Sequence, residues 1–339
     1  MKFVFIADIH ASGYGNDKID SISNLPERLN SIKKSLYYVS DYCEKNNIEN
    51  IKIGGDILHN KSLIYTIAQN MIVDYIRDNT HITFDILSGN HDLSSRSNNS
   101  VSALKALDNE PNVNGIHEVF TDNTYDILYV PYMKGMTDII KNNKAKYLIS
   151  HFGLNEGILS SGISIISDIG LKDLYGKYEI VLLGHYHLPQ EIINEYIKLY
   201  YAGSIIQLDL GERNEEKRFL VVDTDNDTIE SVLIEGYKKN YRFSITNDNK
   251  EEILQKATEL RKNGHYVEFD KREKFDTSDL EKDFRIIDKT EVDITNRGIE
   301  SSMSMDEKFN KYLEIKEISE NMRDEYINIA KEIIDSCGL

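Results

Sequence analysis

Short apolar runs that alternate with helical patterns organise the first two hundred residues of the chain. Five of the runs occupy positions 3–6, 51–53, 82–87, 147–149 and 180–183. Between the first two runs, apolar residues recur at near-helical spacing from position 26 to 46, and a second such stripe follows the run at 51–53. Alternation of short buried strands with amphipathic helices is typical of a mostly parallel sheet. We therefore predict an α/β fold for this part of the chain.

Further strand patterns precede and follow the last of these runs. They occupy 113–133, 191–197, 199–202, 218–223 and 229–234. The four from 191 onward, with a polar turn at 225–227, predict a second, partly antiparallel sheet that packs on the first, and 113–133 is interpreted as strands with a turn at 122–123. The intervening segment 154–172 is rich in Gly, Ser and Ile and is interpreted as an inserted loop.

The pattern changes near Gly236, and we divide the chain at that point. The following residues predict a small α+β unit with helices at 250–263 and 278–284 and strands near 241, at 266–270 and at 291–295. Beyond Gly298 the chain is charged and helical, with apolar stripes on two short helices. The predicted segments are therefore 1–236, 237–298 and 299–339.

Asp, Asn and His residues follow the five apolar runs, at the point where each predicted strand ends. In chain order they are Asp8 and His10, then Asp56, then Asn90, His91 and Asp92, then His151, and finally His185 and His187. Residues just past the carboxyl ends of such strands line one crevice, so these side chains are expected to form one site. Carboxylate and amide oxygens and imidazole nitrogens bind borderline divalent metals, and a pair of such ions can bind a phosphoryl group.

The distribution of histidine and glycine favours one site over ordinary polar loops. Five of the nine histidines lie at these strand ends, whereas His59, His81, His117 and His265 have no comparable context. Of those four, His59 is closest to the motifs and is interpreted as a supporting or surface residue. The glycines at positions 54, 55, 89 and 184 fit strand-to-loop turns in which a Cβ would obstruct the backbone.

Charge and composition narrow the class of protein. With 40 basic and 57 acidic residues the net charge is −17, which argues against a basic protein that coats DNA. A nuclease is still compatible with this charge, because divalent ions and a partner subunit can face the phosphates. The chain has no apolar stretch of about 18 residues and no signal-peptide pattern, so we expect a cytoplasmic protein. In that compartment Cys43 and Cys337 would be reduced, non-functional thiols.

The order of the motifs resembles that of the calcineurin-like metallophosphoesterases. The motifs Asp-x-His, Gly-Asp-x-x-His, Gly-Asn-His-Asp, a single His and Gly-His-x-His begin at positions 8, 55, 89, 151 and 184. The stretches 201–208, 211–212 and 217–223 resemble the segment after the last metal motif in the Mre11/SbcD DNA nucleases, and length and layout are similar to those of phage members. The resemblance implies a two-sheet metallophosphoesterase sandwich flanked by helices, a small α+β capping domain and a C-terminal helix pair.

The resemblance also implies roles for single residues. One divalent ion would be held by Asp8, His10 and His187 and the other by Asn90, His151 and His185, with Asp56 bridging the two. His91 would stand beside the scissile phosphate and help to protonate the leaving oxygen, and Asp92 would orient it. The implied activity is that of a DNA exonuclease or endonuclease dependent on Mn²⁺, with Mg²⁺ as the other candidate ion.

The C-terminal apolar stripes imply a protein partner. Their residues include Phe309, Tyr312, Leu313, Met322, Tyr326, Ile329 and Ile333. In the Mre11/SbcD nucleases this position binds the coiled-coil base of a Rad50/SbcC-like ATPase, and homodimers are common. The resemblance therefore implies DNA, such an ATPase and a second copy of the chain as partners, in DNA repair and recombination. The alternative is a terminal helix pair that folds onto its own core.

The metal motifs alone leave two other functions open. One is another two-metal phosphoesterase that acts on a nucleotide or a phosphoprotein; the segment at 203–204 and the terminal helices favour the nuclease. The other is a non-enzymatic module that binds DNA or a partner. Such a module is expected to have lost metal ligands, whereas all seven ligand positions are filled in this chain.

Overall fold

The computed structural model describes most of the chain, with short gaps and an incomplete C-terminal part. The described residues are 1–13, 19–60, 63–95, 101–213, 215–278, 280–290, 303–316, 318–319, 322–323 and 326–329. Two compact units are present: Met1–Arg242 with Glu259–Val267, and Phe243–Thr258 with Glu268–Leu339. Among the described residues, no helix combines the length and the apolar character needed to cross a membrane.

The first unit contains two six-stranded sheets, as the two-sheet prediction required. The strands are β1 (Lys2–Ile6), β2 (Asn50–Ile53), β3 (Thr83–Leu87), β4 (Val113–Ile116), β5 (Phe120–Asp122), β6 (Ile127–Val130), β7 (Tyr147–His151), β8 (Ile180–Gly184), β9 (Gln190–Ile193), β10 (Lys198–Tyr201), β11 (Arg218–Asp223) and β12 (Thr228–Leu233). One sheet has the order β12-β11-β1-β2-β3-β4 and the other the order β5-β6-β7-β8-β10-β9.

Each sheet has parallel strands at its centre and antiparallel strands at one or both edges. In the first sheet β1 to β4 are parallel, while β11 is antiparallel to both β1 and β12. In the second sheet β6, β7, β8 and β10 are parallel, with β5 and β9 antiparallel at the edges. The expectation of one parallel sheet followed by a separate later one is therefore wrong, because β7 and β8 lie in the second sheet and the late strands β11 and β12 join the first.

Apolar side chains from both sheets form the layer between them. Phe3 and Phe5 of β1 pack in one buried cluster with Tyr147 and Ile149 of β7 and with Leu182 of β8. Such interdigitation of two inner faces is how a sandwich excludes water from its centre. The carboxyl ends of β1, β2, β3, β7 and β8 carry the predicted ligands, so the packing of the sheets determines how those ends are arranged.

Helices cover the outer face of each sheet. On the first sheet lie α1 (Glu27–Lys45) and α2 (Thr66–Asp78), and on the second α3 (Met136–Asn142) and α4 (Leu171–Leu174). α1 begins after Pro26, and its buried stripe includes Leu29, Ile32, Leu36 and Val39, as the helical spacing predicted. The second stripe, predicted to run from Leu63 to Ile76, is partly wrong, because Leu63 precedes α2 and is 56% exposed.

A three-stranded sheet follows the sandwich in the chain. Its strands are β13 (Asn240–Ile245), β14 (Tyr266–Lys271) and β15 (Arg285–Asp288) in that order, with α5 (Lys250–Lys262) between the first two. The helix predicted at 278–284 is wrong, since the described residues there form turns that lead into β15. The strand predicted at 291–295 lies outside the described residues, and the three-segment division of the chain stays a prediction.

The C-terminal part begins with a well-capped helix. In α6 (Met305–Ile315) the Ser304 hydroxyl accepts a hydrogen bond from the Glu307 backbone N–H, and the Glu307 carboxylate accepts one from the Ser304 backbone N–H. This reciprocal capping box satisfies two of the N–H groups that a helix start leaves open. Residues 322–323 and 326–329 are also helical.

Candidate metal centre

The predicted ligands from both sheets meet at the carboxyl ends of the central strands. Backbone hydrogen bonds join the loops: Asp8 N–H donates to the Gly55 carbonyl at 3.0 Å, and His10 N–H donates to the Asp56 carbonyl at 2.9 Å. The second sheet is tied in by the His185 backbone N–H, which donates to the Asp8 carboxylate at 2.9 Å. The strand-end loops therefore support one another, and the side chains between them are held close together.

Asp8, His10 and His187 form the first group of ligand atoms. One donor atom from each residue lies within 4.8 Å of those of the other two. The His10 and His187 Nε2 atoms are 3.1 Å apart, and His10 Nε2 is 3.9 Å from Asp8 Oδ1. Two imidazole nitrogens and one carboxylate oxygen aimed at one point are a suitable donor set for a divalent transition metal.

Asn90, His151 and His185 form the second group. The Asn90 Oδ1 atom lies 3.1 Å from His151 Nε2 and 3.0 Å from His185 Nδ1. His151 is fully buried, and its other ring nitrogen, Nδ1, lies 2.8 Å from the Gly54 carbonyl. A hydrogen bond donated to that carbonyl leaves the Nε2 lone pair free to face the site.

Asp56 lies between the two groups, where a bridging carboxylate is required. Its Oδ2 atom is 3.7 Å from His10 Nε2 and 3.3 Å from His151 Nε2. All seven ligand positions singled out in the sequence thus come together. Three oxygen donors and four imidazoles, largely withdrawn from solvent, fit a pair of borderline divalent cations by their chemistry.

Burial has the largest influence on the pKa values of the ligands. It raises the pKa of Asp8 to about 6 and lowers that of His185 to about 3. It also lowers the pKa of His10 well below the ordinary value. Burial acts in the same direction on His151, but the negative charge of Asp56 outweighs it and raises the pKa of His151 to about 9. Neutral imidazoles at positions 10 and 185 have the lone pairs that metal binding needs.

Four of the ligands have left-handed backbone conformations. The φ angles are 53° at Asp8, 51° at His10, 55° at Asp56 and 100° at His185. Such a conformation costs a non-glycine residue roughly 1–3 kcal/mol and persists only where the surroundings impose it. Strain concentrated at these positions indicates that the strand-end turns are shaped for the side chains they carry.

The glycines of the motifs have the steric role that the sequence predicted. A Cβ on Gly89 would lie 2.3 Å from Asp56 Oδ1, and one on Gly184 would lie 2.5 Å from the Gly54 carbonyl oxygen. A Cβ on Gly55 would lie 2.7 Å from His151 Nδ1. The loops therefore approach one another more closely than any side chain there would permit.

His91 lies beside the first group of ligands. Its backbone N–H donates to Asp56 Oδ1 at 2.7 Å, and its ring packs edge-on against that of His10 at 4.9 Å between centroids. Its Nδ1 atom contacts the carbonyl oxygen of His59. Its ring is therefore oriented by a backbone carbonyl of the preceding motif.

Asp92 lies among backbone N–H donors. Its carboxylate is fully buried and accepts backbone N–H groups from Asp56 at 2.8 Å, Leu58 at 3.0 Å and Gly89 at 2.9 Å. The expected orientation of the His91 ring by Asp92 stays a prediction, since these contacts of the carboxylate are with backbone N–H groups and His91 Nδ1 contacts the His59 carbonyl. Asp92 joins the second and third strand-end loops.

His59, interpreted from the sequence as a supporting or surface residue, lies beside the centre, and its Nδ1 atom is 3.4 Å from His10 Nδ1. Sequence reasoning missed two further residues around the centre. The Glu212 and Lys217 side chains are both buried behind His187, and Glu212 Oε1 lies 3.0 Å from His187 Nδ1. In the sequence, a Gly-Glu pair and a lysine precede a strand pattern, and charged residues at such positions give no indication that they are buried.

Comparison with known proteins finds relatives that are similar to this chain in sequence. No family model matches the chain. It is 25% identical over 305 residues to the SbcD subunit of the nuclease SbcCD of Staphylococcus epidermidis, covering 79% of this chain and 78% of that protein. It is 24% identical over 359 residues to "Exonuclease subunit 1" of Enterobacteria phage T4, covering 99% of this chain and 95% of that protein.

Among solved structures, one described as a novel archaeal phosphodiesterase is similar with a TM-score of 0.36 and 12% identity, covering 69% of this chain and 99% of that one. The two sequence similarities extend over most of the chain. This confirms the resemblance inferred from the sequence motifs: the chain is similar to the Mre11/SbcD-type nucleases.

Proposed function

We propose that this chain is the nuclease subunit of an SbcCD-like complex and hydrolyses DNA phosphodiester bonds with two divalent metal ions. The observation that carries the proposal is the convergence of seven oxygen and nitrogen donors from both sheets. The names of the relatives support it, since the SbcCD nuclease and exonuclease subunit 1 are both named for nuclease activity. Bound divalent ions would supply Lewis-acid stabilisation of phosphate charge and would lower the pKa of water.

His91 is proposed to hold and deliver the proton that the leaving oxygen needs. Because its Nδ1 atom contacts the His59 carbonyl, that nitrogen carries a hydrogen, and the exchangeable proton is on Nε2. The ring is held from two sides, by the carbonyl and by its edge-on contact with the His10 ring. An imidazole held in one orientation, with a hydrogen on the nitrogen that faces the site, is suited to general acid catalysis.

The first test is DNA digestion by the purified chain with Mn²⁺ or Mg²⁺. His91→Ala is expected to abolish cleavage while ion binding, measured by calorimetry, stays at the wild-type level. His81→Ala is the matched control, because His81 is an exposed histidine. Wild-type cleavage by His91→Ala would refute the role of His91. Hydrolysis of a small phosphodiester without any DNA cleavage, with or without the ATPase, would favour the alternative phosphoesterase.

With a net charge of −17, the chain is expected to bind DNA phosphates only at the metal centre or together with a partner protein. DNA binding by a strongly acidic surface is opposed by its long-range field. We therefore propose that a Rad50/SbcC-like ATPase supplies much of the contact with the DNA backbone. DNA affinity of the isolated chain is expected to be weak and to rise when the ATPase is added.

The proposed ATPase-binding surface is the apolar face of the C-terminal helices. Tyr312, Met322, Tyr326 and Ile329 are each 40–47% exposed, a large apolar area for a polar, charged segment. Leu313 is only 4% exposed, so it has little surface with which to contact a partner, and we leave it out of the proposed surface. Phe309, half-buried, and the four exposed residues remain in the proposal, and Ile333 lies outside the described residues.

A pull-down with the candidate ATPase tests this surface. The double variant Met322→Glu, Ile329→Glu is expected to lose the ATPase and to keep metal-dependent hydrolysis of a small phosphodiester. The exposed Glu314→Gln on α6 is the control. Undiminished capture by the double variant would reject the surface.

We also propose a homodimer, since Ile64 and Ile67 near the start of α2 are 40% and 38% exposed. Ile67→Glu is expected to convert the dimer to a monomer in light scattering, and a wild-type monomer would reject the proposal.

A further inference from the structure

A buried group of charged side chains lies behind His187. Glu212 and Lys217 are 2% and 0% exposed, although charged residues are almost never buried unless they are paired. Glu212 Oε1 is 3.0 Å from His187 Nδ1, and Lys217 Nζ is 2.7 Å from Glu212 Oε2. Lys217 Nζ also donates to the His187 carbonyl oxygen at 3.0 Å. The ring and the main chain of His187 are therefore held by the same ion pair.

We propose that Glu212 and Lys217 are positioning residues that fix His187 as a ligand of one metal ion. The inference rests on the proposed two-metal function. Glu212 accepts the hydrogen on Nδ1 of His187, which leaves the Nε2 lone pair facing His10 Nε2 at 3.1 Å. A carboxylate on the far nitrogen of a ligating imidazole selects its tautomer and its ring orientation.

The exposure of the ring explains why His187 needs this pair. The side chain of His187 is 33% exposed, whereas His10 and His151 are 1% and 0% exposed. Packing on all sides holds the rings of those two ligands. The ring of His187 has solvent on one side, so its orientation depends on the hydrogen bond from Nδ1.

The carboxylate of Glu212 is itself rigidly held. Its Oε2 atom accepts the Leu208 backbone N–H at 3.0 Å and the Ser204 hydroxyl at 3.2 Å, in addition to the Lys217 ammonium. Lys217 is further paired with Glu215 at 2.6 Å. A carboxylate with this many donors has no freedom to follow a misplaced imidazole. The hydrogen bonds that hold the Glu212 carboxylate therefore also fix the position of the His187 ring.

The two ions should respond differently to loss of Glu212. An ion held by Asp8, His10 and His187 would depend on the orientation of His187. In the described residues the Glu212 carboxylate binds His187, Lys217, Ser204 and Leu208, whereas Asn90, His151 and His185 would hold the other ion. Removal of such an outer hydrogen-bond partner typically weakens metal binding about 10- to 100-fold. Only one of the two binding events should change.

Titration of the whole 339-residue chain with Mn²⁺ in the absence of DNA tests this, with ion binding monitored by calorimetry and electron paramagnetic resonance. The wild type is expected to bind two ions. Glu212→Gln is expected to bind one ion with wild-type affinity and the second about 10- to 100-fold more weakly. The control is Glu216→Gln, because the Glu216 side chain is 58% exposed and lies four residues away on the same segment. A folded Glu212→Gln chain that binds both ions as the wild type does would overturn the inference.

A second measurement applies if Glu212→Gln does not fold. In the wild-type chain loaded with Zn²⁺, long-range ¹H–¹⁵N spectra of labelled histidines are expected to show His187 protonated at Nδ1. Protonation at Nε2 would overturn the inference. Because neither measurement uses DNA, a chain that binds two ions but leaves DNA intact, with or without the ATPase, refutes the proposed nuclease and leaves the test of Glu212 unaffected.

Discussion

Replacement of Asp92 separates two explanations of the Gly-Asn-His-Asp motif. The resemblance to a known family predicted that Asp92 orients the His91 ring. In the structure the buried carboxylate of Asp92 accepts the backbone N–H groups of Asp56, Leu58 and Gly89. If this contact set describes its role, replacing Asp92 should lower the stability of the loops and of the whole unit.

The magnitude follows from the number of donors left without an acceptor. A buried N–H that loses its partner costs about 1–3 kcal/mol, so three of them predict a loss of about 3 kcal/mol or more for Asp92→Ala. Asp92→Asn retains one carboxamide oxygen, which can accept the two N–H groups that now share Oδ2. Its amide nitrogen would face the Leu58 N–H, so one donor is lost at a cost of about 1–3 kcal/mol.

Urea unfolding of the metal-free chain, followed by circular dichroism, measures these losses. The midpoint is expected to fall in the order wild type, Asp92→Asn, Asp92→Ala, while Asp41→Asn on the exposed face of α1 keeps the wild-type midpoint. If both Asp92 variants kept the wild-type midpoint and lost only the activity that His91→Ala loses, the explanation by backbone hydrogen bonds would be refuted.

Three further predictions concern sterics, thiol reactivity and pH. Gly89→Ala brings a Cβ to 2.3 Å from Asp56 Oδ1, so overpacking should cost about 1–3 kcal/mol and weaken Mn²⁺ binding in a calorimetric titration; unchanged binding would contradict this. Burial raises the pKa of the Cys43 thiol to about 12, so in a Cys337→Ser background Ellman's reagent should react only after unfolding, and rapid native-state reaction would count against it. Burial acts to raise the pKa of Glu212, but its hydrogen-bonded histidine and Lys217 lower it to about 2, below the ordinary 4.5. The ionised form therefore stabilises the fold above pH 4.5 and that contribution is lost as pH falls towards 2, so Glu212→Gln should flatten the acid-unfolding curve there, and an unaltered curve would exclude the effect.

Local patterns in the sequence were sufficient to predict many of the elements. The stripe from position 26 to 46 predicted α1, and the apolar runs predicted the central strands, because a half-buried helix and a buried strand each impose their own periodicity. The region at 278–284 misled the same reasoning. Leu280 and Phe284 are buried there, but in turns, and two apolar residues four apart are compatible with either structure.

The sequence alone determined the chemistry of the centre, because seven donors of matching type follow strand patterns in a specific order. It did not determine the neighbours of those donors. The burial of Glu212 and Lys217 behind His187 and the backbone contacts of Asp92 depend on which strands share a sheet. Strand pairing is set by contacts between residues far apart in the chain. A pattern of polar and apolar positions predicts which face of a strand is buried, but not which residues pack against that face. Only the tertiary structure decided which side chains support the ligands.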